Sequence, residues 1–121
     1  MNIHESSEDY LEAILRLGER NGHVRSVDIA NDLNYTKASV SRAMKLLRTD
    51  AYIEVDEGGN IILTEKGYAI ASRIYARHKH LTDFFIQIGV SPETAAADAC
   101  KIEHDLSDES YQKLLMHACR K

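Results

Sequence analysis

The change of hydrophobic period at Ala51 constrains this chain more than any other feature. Before it, apolar residues recur at helical spacing in three segments of unequal length. Ser7 precedes Glu8 and Asp9 and then Tyr10, Leu11, Ile14, Leu15 and Leu17, the pattern of a capped amphipathic helix ending in the Gly18 to Gly22 region. Val27, Ile29, Ala30 and Leu33 mark a short second helix from about Ser26. After a break at Asn34-Tyr35, the stripe Val40, Ala43, Met44 and Leu47 marks a third. Beyond Ala51, YIEV, EGGN and IILT give two short β-branched runs joined by a glycine-containing turn, which predicts a hairpin. Helix, short helix, tight turn, helix and β-hairpin is the order of a winged helix-turn-helix.

From Thr64 the run TEKGYAIASRIYARHKHLTDFFIQI carries Ile70, Ile74, Leu81, Phe84 and Phe85 along a long helix that stops at Gly89, with a possible kink near Gly67. Ser91-Pro92-Glu93 opens a fifth helix, predicted to run to about His104, and Asp105 to Ser107 opens a sixth. The expected fold is mainly α with a small β-hairpin, a winged helix-turn-helix over residues 1–72 followed by an all-helical part over residues 73–121. A chain of 121 residues with 44 % apolar content is large enough for this and too small for a further independent domain.

The net charge of −4 argues against nucleic acid as a partner only until its distribution is considered. Residues 1 to 12 carry Glu5, Glu8, Asp9 and Glu12 without Lys or Arg, whereas residues 36 to 48 carry Lys37, Arg42, Lys45 and Arg48 without an acid. One segment attracts cations and the other attracts phosphate. In a winged helix-turn-helix the third helix enters the major groove, so Thr36, Lys37, Ser39, Ser41, Arg42 and Lys45 are the outward positions expected to reach bases or phosphates of double-stranded operator DNA. The competing reading is a solvated helix whose basic face contacts nothing. No stretch approaches the roughly 20 apolar residues that span a bilayer, and no leader pattern opens the chain, so a cytoplasmic protein without membrane contact is expected. Two cysteines make no disulfide framework. Cys100 is left available as a thiolate, and Cys119 has no assigned role.

DACKIEH, residues 98 to 104, places Cys100, Glu103 and His104 at i, i+3 and i+4, so a thiolate, a carboxylate and an imidazole are expected on one face of the fifth helix. Asp9 and Glu12 are likewise i and i+3 on the first helix, and His78 lies in the fourth. Each set taken singly is compatible with a solvated helix face or a packed histidine. The chain has no HExxH motif, nucleophile elbow or phosphate-cradling glycine loop, so no enzyme is expected.

SSEDYLEAILRL, ASVSRAMKLL, ILTEKG, RHKHLTDFFIQIGV and DACKIEH, in that order, resemble the diphtheria toxin repressor family, which includes the manganese transport regulators. The resemblance covers essentially the whole chain. It implies a metal-activated, homodimeric transcriptional repressor in which the helical part carries the metal sites and the dimer interface. Many members add an SH3-like domain. This chain ends before one and so resembles the shorter, two-domain branch.

Carried over by position, Asp9 matches the first-helix ligand, an aspartate in the manganese regulators and a methionine in the iron repressors. Cys100 matches a cysteine of the iron repressors that is a glutamate in the manganese regulators. Glu103 and His104 match ligands common to both, and Glu12 and His78 match ligands of the manganese regulators' second site. The iron repressors' ancillary site would need a carboxylate where Thr82 stands and a histidine where Ala96 stands. His4, His23, His80 and His117 match no ligand and are expected at the surface.

This hybrid set suits Fe(II) or Mn(II). The thiolate tilts the expectation slightly to iron and Asp9 pulls towards manganese, while other divalent transition metals would also bind such donors. Without metal, the acidic groups repel one another. A cation would reverse that repulsion and set the spacing of two recognition helices on successive half-sites. Such a repressor would control genes of metal uptake. The apolar sides of helices four to six, including Phe84, Phe85, Ile86 and Ile88, are either the dimer surface or ordinary core. The alternative is a metal-independent winged-helix regulator whose cluster is structural or incidental.

Overall fold

The computed structural model describes residues 5–118. His4 and Cys119 lie outside the described residues. The chain forms two units that meet in sequence between Arg73 and Ile74.

The first unit contains α1 (Glu5–Asn21), α2 (Ser26–Leu33), α3 (Lys37–Thr49), β1 (Ile53–Val55), β2 (Ile61–Leu63) and the start of α4 (Glu65–Gln87). Its core joins Leu11, Ile14 and Leu17 of α1 to Ile29 of α2, Val40, Met44 and Leu47 of α3, Ile53 and Ile61 of the hairpin, and Ala71. Leu11 and Ile29 are fully buried, and each such aliphatic side chain contributes about 1.5–3 kcal/mol relative to exposure. The hairpin is antiparallel with Ile53 opposite Leu63, Glu54 opposite Ile62 and Val55 opposite Ile61. Period-2 alternation therefore turns Glu54 and Ile62 outward, away from the core that buries Ile53 and Ile61.

Backbone chemistry sets the turns. Asn34 ends α2 at φ 59°, a left-handed conformation that asparagine tolerates better than most residues, and its N–H donates to the Ala30 carbonyl. Thr36 then caps α3, its Oγ1 accepting from the Ser39 N–H at 3.1 Å. At the change of period, Ala51 takes φ 67°; its N–H donates to the Arg48 carbonyl and the Tyr52 N–H reaches back to Leu47 at 2.9 Å. This is a Schellman cap, with buried Tyr52 and Leu47 beneath it. Thr64 locks the next corner, its hydroxyl donating to the Ala51 carbonyl at 2.7 Å and accepting from the Gly67 N–H at 3.1 Å.

The second unit contains the rest of α4, α5 (Pro92–Ile102) and α6 (Asp108–Ala118). Ile74 and Leu81 of α4, Ala95 and Ala99 of α5 and Tyr111 of α6 are buried. Gly89 ends α4 at φ 105°, with the Val90 N–H returning to the Phe85 carbonyl at 2.9 Å. No described helix is long and apolar enough to cross a membrane.

The fold is the expected one, a winged helix-turn-helix followed by helices. Two boundaries differ. Ser7 lies inside α1, which is helical from Glu5, so it is not the cap. Helix α5 stops at Ile102, two residues short of His104. Glu103 keeps helical dihedrals at the C-cap, but the Asp105 and Leu106 N–H groups both turn back to the Ile102 carbonyl. Glu103 and His104 thus sit on a turn, not on a continuous helical face.

Candidate metal centre and nucleic-acid interface

Burial of Val40, Met44 and Leu47 orients α3, leaving Lys37, Ser41, Arg42 and Lys45 exposed. Of the six expected DNA-facing residues, three also have structural partners, Thr36, Ser39 and Arg42. The Thr36 hydroxyl caps the helix and donates to Ser39 Oγ at 2.8 Å. Ser39 is half-buried, and its Oγ accepts from Arg42 Nη2 at 3.5 Å, which steers that guanidinium along the helix surface. Arg48, counted in the basic run but not among the six, lines a groove with Ser26, Ser41, Lys45 and Val55. Its spacing of three from Lys45 was the available signal.

The wing has the opposite charge. Glu54, Asp56 and Glu57 are exposed, and no Lys or Arg lies between Arg48 and Lys66. Asp56 shapes the wing tip, its Oδ1 accepting from the Gly58 and Asn60 N–H groups at 2.9 Å each. These bonds, chiefly the Asn60 N–H, hold its carboxyl below the usual carboxylate range. Arg25 donates to the Gly58 carbonyl and braces the same turn.

On α1, Glu8 is buried and paired with Arg73 at 3.0 Å. Asp9 is half-buried and Glu12 is buried.

Four of the expected ligands lie in the second unit. His78 of α4 meets the fully buried Glu103, with Nδ1 to Oε2 at 2.9 Å. The other carboxylate oxygen, Oε1, is buried without a hydrogen-bond partner among the described residues, 3.5 Å from His104 Nε2. That separation lies at the outer limit of hydrogen bonding, and the geometry makes no bond. The His104 side chain is only 2 % exposed. Cys100 is exposed on α5. A buried carboxylate oxygen left unbonded costs about 1–3 kcal/mol or more. A divalent cation beside it would offset that cost, and carboxylate, imidazole and thiolate donors suit a first-row transition metal. The residues present therefore fit a metal.

Arg77 escaped sequence reasoning. It is 3 % exposed, and its Nη1 donates to the carbonyls of Glu103 (3.1 Å) and Leu106 (2.6 Å), while Nη2 pairs with Asp108. The guanidinium lies 4.8 Å from the centre of the Tyr111 ring, and the Tyr111 hydroxyl meets His80 Nδ1 at 2.5 Å. Burial holds the Tyr111 hydroxyl above the usual tyrosine range, against the opposing pull of Arg77. The available signal was an arginine on the buried stripe Ile74, Arg77, Leu81, where a cation needs partners to be tolerated. His80 and His23 are exposed as expected, as is His117.

Residues 2–59 match the N-terminal DNA binding domain of the iron dependent repressors, and residues 64–117 match their metal binding and dimerisation domain. An HTH-type transcriptional regulator of Methanocaldococcus jannaschii is 37 % identical over 112 residues, covering 91 % of this chain and 90 % of that protein. The HTH-type transcriptional regulator MntR of Geobacillus kaustophilus is 39 % identical over 102 residues, covering 84 % and 72 %. The crystal structure of T. acidophilum IdeR is similar with a TM-score of 0.81 and 28 % identity over 97 % of this chain. The chain spans about half of that structure's length, 55 %. With both parts of the sequence matched in order, and a winged helix-turn-helix followed by helices in the structure, the chain belongs to the iron dependent repressor family of metal-dependent transcriptional regulators.

Proposed function

We propose that this chain is a cytoplasmic repressor that binds operator DNA as a homodimer when loaded with Fe(II) or Mn(II), and so controls genes for uptake of the metal it senses. The observation that carries this reading is the buried, unbonded Oε1 of Glu103 beside His104 Nε2. A finished structural network leaves no such atom, whereas a reversible cation site must keep a lone pair in reserve.

The proposed ligands are Cys100, Glu103 and His104 with Asp9, and Glu12 and His78 for a second ion. The cation supplies positive charge among acidic donors. His78 orients the Glu103 carboxylate, as outer partners commonly orient metal ligands. Cys100 softens the donor set and favours Fe(II), while Asp9 and Glu12 suit Mn(II) equally well. Metal and DNA affinities are linked reciprocally if the metal favours the same arrangement of the dimer that DNA favours. Lys37, Arg42 and Lys45 meet phosphates or guanine edges, with Thr36, Ser39 and Ser41 as hydroxyl contacts.

The test is binding of metal-free protein to DNA from its own promoter region under anaerobic conditions, with Fe(II) and Mn(II) titrated separately and Cys100→Ser alongside. Metal-induced binding, with the variant losing more response to Fe(II) than to Mn(II), supports an iron-leaning sensor. Binding that persists unchanged in chelator overturns metal control.

A further inference from the structure

Helix α5 ends at Ile102 with Glu103 as its C-cap, still bonded to the Ala99 carbonyl, so the carbonyls from Glu103 onward have no further turn of α5 to accept from. The turn that carries them is anchored from α4 by two consecutive residues. Arg77 takes its main chain, with Nη1 bridging the carbonyls of Glu103 and Leu106 and Nη2 reaching Asp108, the first residue of α6. His78 takes the Glu103 carboxylate by its Oε2. Neighbouring residues on a helix project about 100° apart, which lets one reach the backbone and the next reach the side chain.

We infer that Arg77 is a positioning residue of the metal centre: its guanidinium takes the Glu103 and Leu106 carbonyls just past the end of α5 and holds the Glu103–His104 turn at the geometry that keeps Glu103 Oε1 clear for a cation. The inference rests on the metal-dependent reading above. Arg77 directs its donors at carbonyl oxygens and at Asp108, so its charge occupies neither oxygen of the Glu103 carboxylate. A rigid planar fork is needed because three acceptors on two sides must be met at once; a lysine ammonium is a point charge on a flexible stem. Packing alone does not explain the residue, since its Nε is buried without a hydrogen bond and methionine would fill the space at no such cost.

The experiment titrates Mn(II) alone into metal-free wild type, Arg77→Met, Arg77→Lys, Glu103→Gln and Leu81→Ala. The free ion is followed by electron paramagnetic resonance, below the melting transition of every protein. Leu81 is the control for general loosening, being a buried residue of the same helix that lines a small cavity with His80, Phe84 and Tyr111. Glu103→Gln should lose binding. Arg77→Met should bind about ten- to a hundredfold more weakly, with Arg77→Lys in between. Leu81→Ala should stay within about twofold of wild type. Wild-type affinity in Arg77→Met, with Glu103→Gln defective, overturns the positioning role and leaves the metal centre standing. An equal loss in Leu81→Ala overturns it too, because the effect is then loosening of the unit. If wild type takes up neither Mn(II) nor, in an anaerobic titration, Fe(II), or if Glu103→Gln binds as well as wild type, the metal-dependent reading itself fails. Should Arg77→Met not fold, Arg77→Lys against Leu81→Ala decides by the same criteria.

Discussion

Arg16 and Asp32 form a two-pronged ion pair, Nη1 to Oδ1 at 3.0 Å and Nη2 to Oδ2 at 2.7 Å, that fastens α1 to the last turn of α2. Both side chains are less than one-third exposed, and the hydrogen bond from Arg16 holds the Asp32 carboxyl below its usual range. A depressed folded pKa means that the contribution is complete above the unfolded value, about 3.9, and fades as pH falls through the lower folded value. Asp32→Asn should therefore cost about 1 kcal/mol at pH 7. Urea unfolding at a series of pH values should show the gap between wild type and variant closing below about pH 4. A gap that stays constant down to pH 2.5 would refute this account.

Ala51 holds a left-handed conformation in which glycine has no steric cost. Ala51→Gly should raise the stability of the metal-free protein by about 0.5–1 kcal/mol, since the same cap forms without the Cβ penalty. The check is a shift of the urea midpoint to higher concentration at unchanged slope.

Gly67 responds in the opposite direction. A Cβ built there would sit 2.0 Å from the Tyr52 carbonyl oxygen, a backbone atom that cannot rotate away. Alanine is the better helix former by about 1 kcal/mol, yet Gly67→Ala should destabilise by at least about 2 kcal/mol, because the start of α4 must separate from the turn after α3. Chemical denaturation measures the loss. A neutral or stabilised variant would mean that the close approach does not exist in solution.

The basic α3 and the acidic wing make opposite predictions for DNA. Lys45→Gln should weaken binding to operator and unrelated duplex alike, and lower the slope of log affinity against log salt by about 1, as expected for one lost phosphate contact. Glu57→Gln, which removes a charge from the exposed wing tip, should strengthen binding to both duplexes. Filter binding over a range of salt concentrations tests the pair. Weaker binding by Glu57→Gln would show that the wing makes an attractive contact.

Much of the fold was legible because its signals are local. Periodicity and turn chemistry in YIEV, EGGN and IILT located the hairpin to within a residue or two. Gly89 and Ser91-Pro92 ended one helix and began the next, because positive φ and a missing N–H act on the chain at that point alone. The candidate ligands of the second unit were legible as residue types, and kinship ordered them.

What the sequence determined by itself is the order of the elements, the segregation of charge between residues 1–12 and 36–48, and the donor chemistry of Cys100, Glu103 and His104. Only tertiary structure decided that Glu103 lies beyond its helix, that one of its oxygens is buried and unbonded, and that Arg77 is spent on the turn that holds it. The last two of those facts depend on groups 25 or more residues apart, as with His78 and Glu103 or Arg77 and Glu103. Spacing along a chain constrains neighbours within a turn or two, whereas burial and hydrogen-bond saturation are set by whatever the fold brings alongside.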